Sequence, residues 1–203
     1  MTKVIYRTVG VSFPNPKLLE DAKARAPRPL RLRRIQTAHG DQDSQHAQAL
    51  LDLKAAADRS YSVQLSAPKA TLQIGKDLLD FSVTTNKDGY LYVLQVGSDG
   101  KTFNLLFPNK LDENNLLPAG THRFPRAAWR VRAAGPAGTS HILAIISPEK
   151  KTLGAGMDAS SVFPHANADV NATRTLVVEA TGAGNGGSGR YGASDVAAIK
   201  EIP

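Results

Sequence analysis

The sequence predicts a mainly β protein: an immunoglobulin-like antiparallel β-sandwich with an N-terminal helix and a basic extension. Three observations carry that reading. After Ser60 the apolar residues recur with period two, where the preceding stretch has the helical period of about 3.6. Turn signals, among them Asp88-Gly89, Asp99-Gly100 and Gly135-Pro136-Ala137-Gly138, separate the alternating runs. The resulting seven to nine short strands follow one another at sandwich spacing, with no repeat of about 20–50 residues that would point to a solenoid or propeller.

In chain order, Val4, Tyr6, Val9 and Val11 suit one short strand, and Lys17–Ala26 a short helix, between Pro14, Pro16, Pro27 and Pro29. Asp43–Arg59 reads as a helix. Ala47, Leu50, Leu51, Lys54, Ala55 and Asp58 fall at helical spacing, and Asp43 or Ser44 can cap its start. Strands then follow at Tyr61/Val63/Leu65, Leu79/Phe81/Val83, Phe103/Leu105/Phe107, Trp129/Val131/Ala133 and Leu176/Val178/Ala180, each alternating with polar residues. Tyr90–Val96 and Ile142–Ile146 are apolar on both faces, as central strands are, and Val196–Ile202 reads as the last strand. This divides the chain into residues 1–60, a Pro-containing basic extension plus helix, and residues 61–203, a sandwich module. Two long loops remain, Lys151–Asn171 and the glycine loop Thr181–Gly189.

With 203 residues the chain can bury a core without a staple, and it has no cysteine. Disulfide scaffolds, Cys-based zinc sites, iron–sulfur clusters and thiol catalysis are thereby excluded. The longest purely apolar run, Ile142–Ile146, is far short of the roughly 20 residues of a membrane span. Met1–Tyr6 lacks a hydrophobic signal core, so the expectation is a cytoplasmic chain or, with a leader removed, a periplasmic one.

The net charge of +7 is local. Residues 1–40 hold nine basic residues against Glu20 and Asp21, while the remainder balances sixteen against sixteen. Arg28, Arg31, Arg33 and Arg34 resemble a nucleic-acid or anionic-surface tail. Leu30, Leu32 and Ile35 alternate with them, however, and no aromatic lies between Phe13 and Tyr61 to stack on bases.

No catalytic constellation stands out, and the sequence predicts no catalytic, cofactor-binding or metal-ligating residue. Gly182, Gly184 and Gly187 spell G-x-G-x-x-G, yet no βαβ helix follows, so a flexible loop is the better reading. The five histidines (39, 46, 122, 141 and 165) form no ligand pair. Ser188 lies in a glycine loop and not in a nucleophile elbow. Asp112-Glu113-Asn114-Asn115 matches no calcium loop. A hydrolase would require His122, His141 or His165 to meet an Asp or Ser in one pocket. The candidate partner-binding residues are Arg123, Arg126, Arg130 and Arg132, of which Arg130 and Arg132 point outward if Trp129 and Val131 point in.

Leu72–Ser147 contains, in order, LQIGKDLLDFSV, DGYLYVLQVGSDGKTFNLLFPN, NNLLPAGTHRFP and W-x-V-x-A-x-GPAGTSHILAIIS. This set resembles a bacterial domain-of-unknown-function family with a GYLYV…DG…LFPN…GPAG core, often found in chains with caspase-like peptidases or serine/threonine kinases. The likeness spans about residues 65–202, and the closing RYGASDVAAIKEI is similar to the ends of such chains. Residues 1–60 lie outside it and carry no kinase or caspase motif. The resemblance implies a non-enzymatic accessory sandwich: a protein-interaction or sensing module, an adaptor in a bacterial envelope, secretion or signalling assembly. Nucleic-acid or anionic-surface binding through the basic segment, and carbohydrate binding by the sandwich, are the alternatives.

Overall fold

The computed structural model describes residues 43–153, 157–167 and 190–203. Alternation builds a small sheet first. In β1 (Val63–Ser66), β3 (Phe81–Thr85) and β7 (Gly120–Phe124) every second side chain turns inward, so Val63, Phe81, Val83 and Phe124 are buried. The order is β1-β3-β7, antiparallel throughout, with Phe81 opposite Phe124. A larger eight-stranded sheet holds β2 (Thr71–Gln73), β11 (Ala197–Ile202), β8 (Gly138–Ser147), β4 (Gly89–Val96), β5 (Thr102–Phe107) and β9 (His165–Asn167) in that order. Off that path, β6 (Leu116–Leu117) pairs with β4 and β10 (Gly192–Ala193) with β8. Among the described strands of this sheet only β2 and β11 run parallel.

The two runs that are apolar on both faces become the two central strands, β4 and β8, paired from Tyr90–Ser147 to Val96–His141. One face (Leu91, Val93, Ile142, Ala144, Ile146) closes on the small sheet and forms the sandwich core. The other face (Tyr92, Leu94, Val96, Leu143, Ile145) makes a second core with Leu50 and Leu53. Those two leucines belong to α1 (Asp43–Ala55), so the helix that the sequence groups with the basic extension lies against the sheet. His39–Pro203 is one compact unit.

The helix stops at Ala55, short of Arg59, because Asp58 N–H is taken by the Tyr191 carbonyl at 2.8 Å and not by the preceding turn. Its buried stripe is Ala49, Leu50 and Leu53; Leu51 is 44% exposed. Tyr191 locks this layer: its buried hydroxyl donates to the Leu53 carbonyl at 2.6 Å. Burial pushes the Tyr191 phenol up to about 12. A neutral phenol is therefore favoured by folding. Its contribution is complete below the unfolded value near 10 and is lost as pH rises from about 10 to about 12, by up to about 3 kcal/mol. Urea titrations between pH 9 and 12 should show stability falling in that window. Tyr191→Phe should flatten the fall, at a pH-independent cost of about 1 kcal/mol for the lost hydrogen bond. An unchanged alkaline slope in the variant would remove Tyr191 as its cause.

Several local expectations are corrected. Asp88-Gly89 does not close a hairpin, because β3 and β4 lie in different sheets. Gly89 is required for space: a Cβ there would sit 2.7 Å from the Ser147 carbonyl oxygen. Asp99-Gly100 is the hairpin between β4 and β5, with Gly100 at φ 64°. Phe103, Leu105 and Phe107 do not share a face. Val93 pairs with Phe107 but Leu94 with Leu105, so Leu106 is bulged. Phe103 and Leu105 consequently join the helix-side core, and Leu106 and Phe107 the sandwich core. Trp129–Ala133 forms no full strand. It is an extended segment with one bridge, Leu78 to Arg132; the Val131 and Ala133 carbonyls accept from the N–H groups of Leu79 and Gly75, and Ala133 N–H donates to the Asp77 carbonyl. The 151–171 loop contains β9 on the edge of the large sheet. The expectations for Val4–Val11, Lys17–Ala26, Arg28–Arg34, Leu176–Ala180 and the 181–189 glycine loop fall outside the described residues.

Candidate partner-binding surface

The four arginines take different roles. Arg123 lies on the edge strand β7, opposite Ser82, and is exposed on the outward face of the small sheet. Arg130 and Arg132 are exposed as expected, since Trp129 turns inward and is 3% exposed. Each is steadied by backbone carbonyls. Arg130 donates to Arg126 at 3.0 Å and Trp129 at 2.7 Å, and Arg132 to Gly75 at 2.8 Å. Such anchoring lowers the entropy that a guanidinium loses on meeting a partner.

Arg126 is held internally. Its guanidinium donates to Asp112 Oδ1 at 3.0 Å and lies 4.9 Å from the Phe107 ring centroid and 5.4 Å from that of Phe124. Trp129 Nε1–H donates to the second oxygen, Oδ2, at 3.1 Å. One carboxylate thus satisfies a half-buried cation and a buried indole. The same fact closes the calcium reading of 112–115: the Asp112 oxygens are committed, and Asn115 donates to the buried Leu91 carbonyl at 3.1 Å.

Among the described residues, His46 lies on α1 and His122, His141 and His165 lie on β7, β8 and β9; His39 falls outside them. His122 Nε2 stands 2.8 Å from the Pro118 carbonyl oxygen. Among the described residues one Ser-His-Asp grouping exists, in the loop that sequence periodicity could not resolve. Ser161 Oγ is 3.3 Å from His165 Nδ1, and His165 Nε2 is 4.0 Å from Asp158 Oδ2. The serine hydroxyl, however, donates to the Phe163 carbonyl at 2.5 Å. That carbonyl competes with the imidazole for the hydroxyl proton. Backbone bonds in both directions between Asp158 and His165 identify the group as a loop closure. Hydrogen bonds from Ser160, backbone first, hold the Asp158 carboxyl below its ordinary range.

Described residues line two surface clefts, among others. One, of about 560 Å³, lies where the helix end meets β1, lined by Lys54, Asp58, Arg59, Tyr61 and Gln64 among others. Lys54 there is paired with Asp195. The other, of about 590 Å³, was not legible in the sequence. Apolar Leu105, Pro108, Leu153 and Pro164 line it beside Lys110, Lys150 and Lys151. Its base is rigid: Tyr92 Oη donates to the Lys151 carbonyl at 2.9 Å and accepts from Lys151 N–H at 2.6 Å. Burial holds the Lys151 ammonium below the ordinary lysine range.

Among the described residues no helix is long and apolar enough to cross a membrane. No curated protein and no solved structure matches the chain. Residues 71–150, which hold β2 to β8 and all four arginines, match the model of the family described as Domain of unknown function (DUF4384).

Proposed function

We propose that this protein is a non-enzymatic interaction or sensing module, an adaptor in a bacterial envelope, secretion or signalling assembly. It recognises a partner protein through exposed cations on a rigid β-sandwich. The observation that supports this reading is the division of labour among the arginines. Arg126 is consumed by the fold, whereas Arg123, Arg130 and Arg132 are exposed and, for the latter two, carbonyl-anchored. Planar, weakly hydrated guanidinium groups pair well with carboxylates at an interface, where they add specificity and association rate. The immunoglobulin-like character of the module is part of this reading. It rests on two mainly antiparallel sheets that share one core.

The test is a triple charge reversal, Arg123→Glu with Arg130→Glu and Arg132→Glu, compared with the parent chain in crosslinking and mass spectrometry from the native cell. A reproducible partner protein captured by the parent should fall by about tenfold or more with the variant, about 1.4 kcal/mol or more of binding. Undiminished capture would remove the arginines, and capture abolished by nuclease would move the reading to nucleic acid.

A further inference from the structure

The exposed arginines form a single row, and backbone register shows why. Phe81 and Val83 turn into the sandwich core, so Ser82 and Thr84 of β3 turn outward, and Arg123, paired with Ser82, turns outward beside it. The extended stretch before β3 keeps the alternation, with Leu79 buried and Asp80 exposed. Trp129, Val131 and Ala133 pack on the same core, which leaves Arg130 and Arg132 on the outward face. All three arginines thus project from one side of one layer.

They also follow one edge of it. Asn86 N–H donates to the Ser62 carbonyl at 3.2 Å, so it points toward β1. Backbone groups alternate in direction along a strand, so those of the odd-numbered residues from 85 back to 79 point toward β7. On that side Leu79 N–H donates to the Val131 carbonyl at 2.8 Å, and Ala133 N–H to the Asp77 carbonyl at 3.1 Å. The segment 129–133 therefore continues the β7 edge. Arg123 stands level with Ser82 and Arg132 with Leu78, and the same register sets Arg130 level with Asp80. Residues two apart on a strand are separated by about 7 Å, and the arginines occupy three consecutive levels of that spacing.

An extended peptide has the same repeat, with its alternate side chains on one face. Arg130 and Arg132 are anchored on different stretches of backbone, the first on the Arg126 and Trp129 carbonyls and the second on Gly75, which keeps their guanidinium groups apart. None of the ion pairs among the described residues involves the three arginines. Asp80 lies in the same row, and it tells against an unbroken line of phosphates, whereas a peptide can set a hydroxyl or N–H donor over it. The adjoining outward residues, Gln64, Ser66, Ser82, Thr84 and Thr121, offer no ring for a base to stack on.

We propose that the partner is read as an extended acidic segment, with aspartate or glutamate at every second residue lying along the row Arg132, Arg130, Arg123. The proposal rests on the partner-binding reading above and names what that surface recognises.

Fluorescence anisotropy of the full chain at low ionic strength tests it, with two labelled nonapeptides of identical composition. One, Thr-Thr-Glu-Thr-Glu-Thr-Glu-Thr-Thr, carries a carboxylate at every second residue. The other, Thr-Glu-Thr-Thr-Glu-Thr-Thr-Glu-Thr, carries one at every third and turns its middle carboxylate to the opposite face. The alternating peptide should bind about fivefold tighter or more, and its affinity should fall with added salt. Arg123→Gln, Arg130→Gln and Arg132→Gln should each weaken it by about threefold or more, and the triple glutamine variant should bind both peptides equally. All three positions are exposed, so the variants should keep the parent's melting temperature. Equal binding of the two peptides by the parent would overturn the proposal, and so would a preference that survives in the triple variant. A thymidine oligonucleotide that binds tighter than the alternating peptide, and loses that advantage in the triple variant, would overturn it in favour of nucleic acid. Equal peptide binding alongside arginine-dependent capture of a partner protein would strike the extended acidic segment alone; arginine-independent capture would strike the partner-binding reading with it.

Discussion

Leu50→Ala and Leu53→Ala are each expected to destabilise the protein by about 2–5 kcal/mol. Both leucines are fully buried against Tyr92, Leu94, Leu143 and Ile145, so truncation removes apolar contact and leaves a cavity between helix and sheet. A loss of that size is a large share of the roughly 5–15 kcal/mol that holds a domain folded, and the double variant should be near unfolding. The internal control is Leu51→Ala, at a position 44% exposed, which should shift stability by no more than about 0.5 kcal/mol. Urea midpoints of the three single variants decide the matter. Should Leu50→Ala and Leu53→Ala match Leu51→Ala, the helix would not be the cover of the second face.

Asp112→Ala is the second large effect. Removing that carboxylate leaves a half-buried guanidinium and a buried indole N–H without acceptors, at a cost of about 2–4 kcal/mol. Asp112→Asn keeps an acceptor for Trp129 but no charge for Arg126, and should lie between the two. Trp129 is the chain's single tryptophan, packed edge-on to Phe163 with ring centroids 5.6 Å apart. Its fluorescence therefore reports this corner directly, and denaturation followed by Trp emission should show the alanine variant unfolding first. Parent-like stability in Asp112→Ala would mean that the Arg126–Asp112–Trp129 group carries no weight. The same argument explains why Arg126 is left out of the partner-binding variant: a glutamate there would face Asp112 and test the fold.

Much of the architecture was legible because period and pattern are backbone geometry written in side chains. The doubly apolar runs at Tyr90–Val96 and Ile142–Ile146 became the central strands, and Asp99-Gly100 became a hairpin with positive φ at Gly100. What escaped was either too short to show a period or fixed by tertiary contact. β2 and β9 have three residues each, and β6 and β10 have two. The bulge at Leu106 changes the face of Phe107 without changing the local pattern. Asp88-Gly89 has the composition of a hairpin, yet its strands part into two sheets, which only their long-range partners determine. The candidate surface divides along the same line. Alternation sent Arg130 and Arg132 outward, but nothing local separates them from Arg126, whose partner lies fourteen residues back at Asp112. The lysine cleft joins residues some forty positions apart and has no signature in any single segment.

The proposed recognition of a partner protein by outward cations of the sandwich is tested most directly by a reciprocal charge swap. With the crosslinked partner in hand, the carboxylates facing Arg123, Arg130 and Arg132 are changed to lysine and paired with the triple glutamate variant in a calorimetric binding titration. Each side alone should lose about tenfold or more in affinity, and the swapped pair should recover most of it. Binding that stays lost in the swapped pair, or was never lost in either single variant, would contradict the proposed recognition.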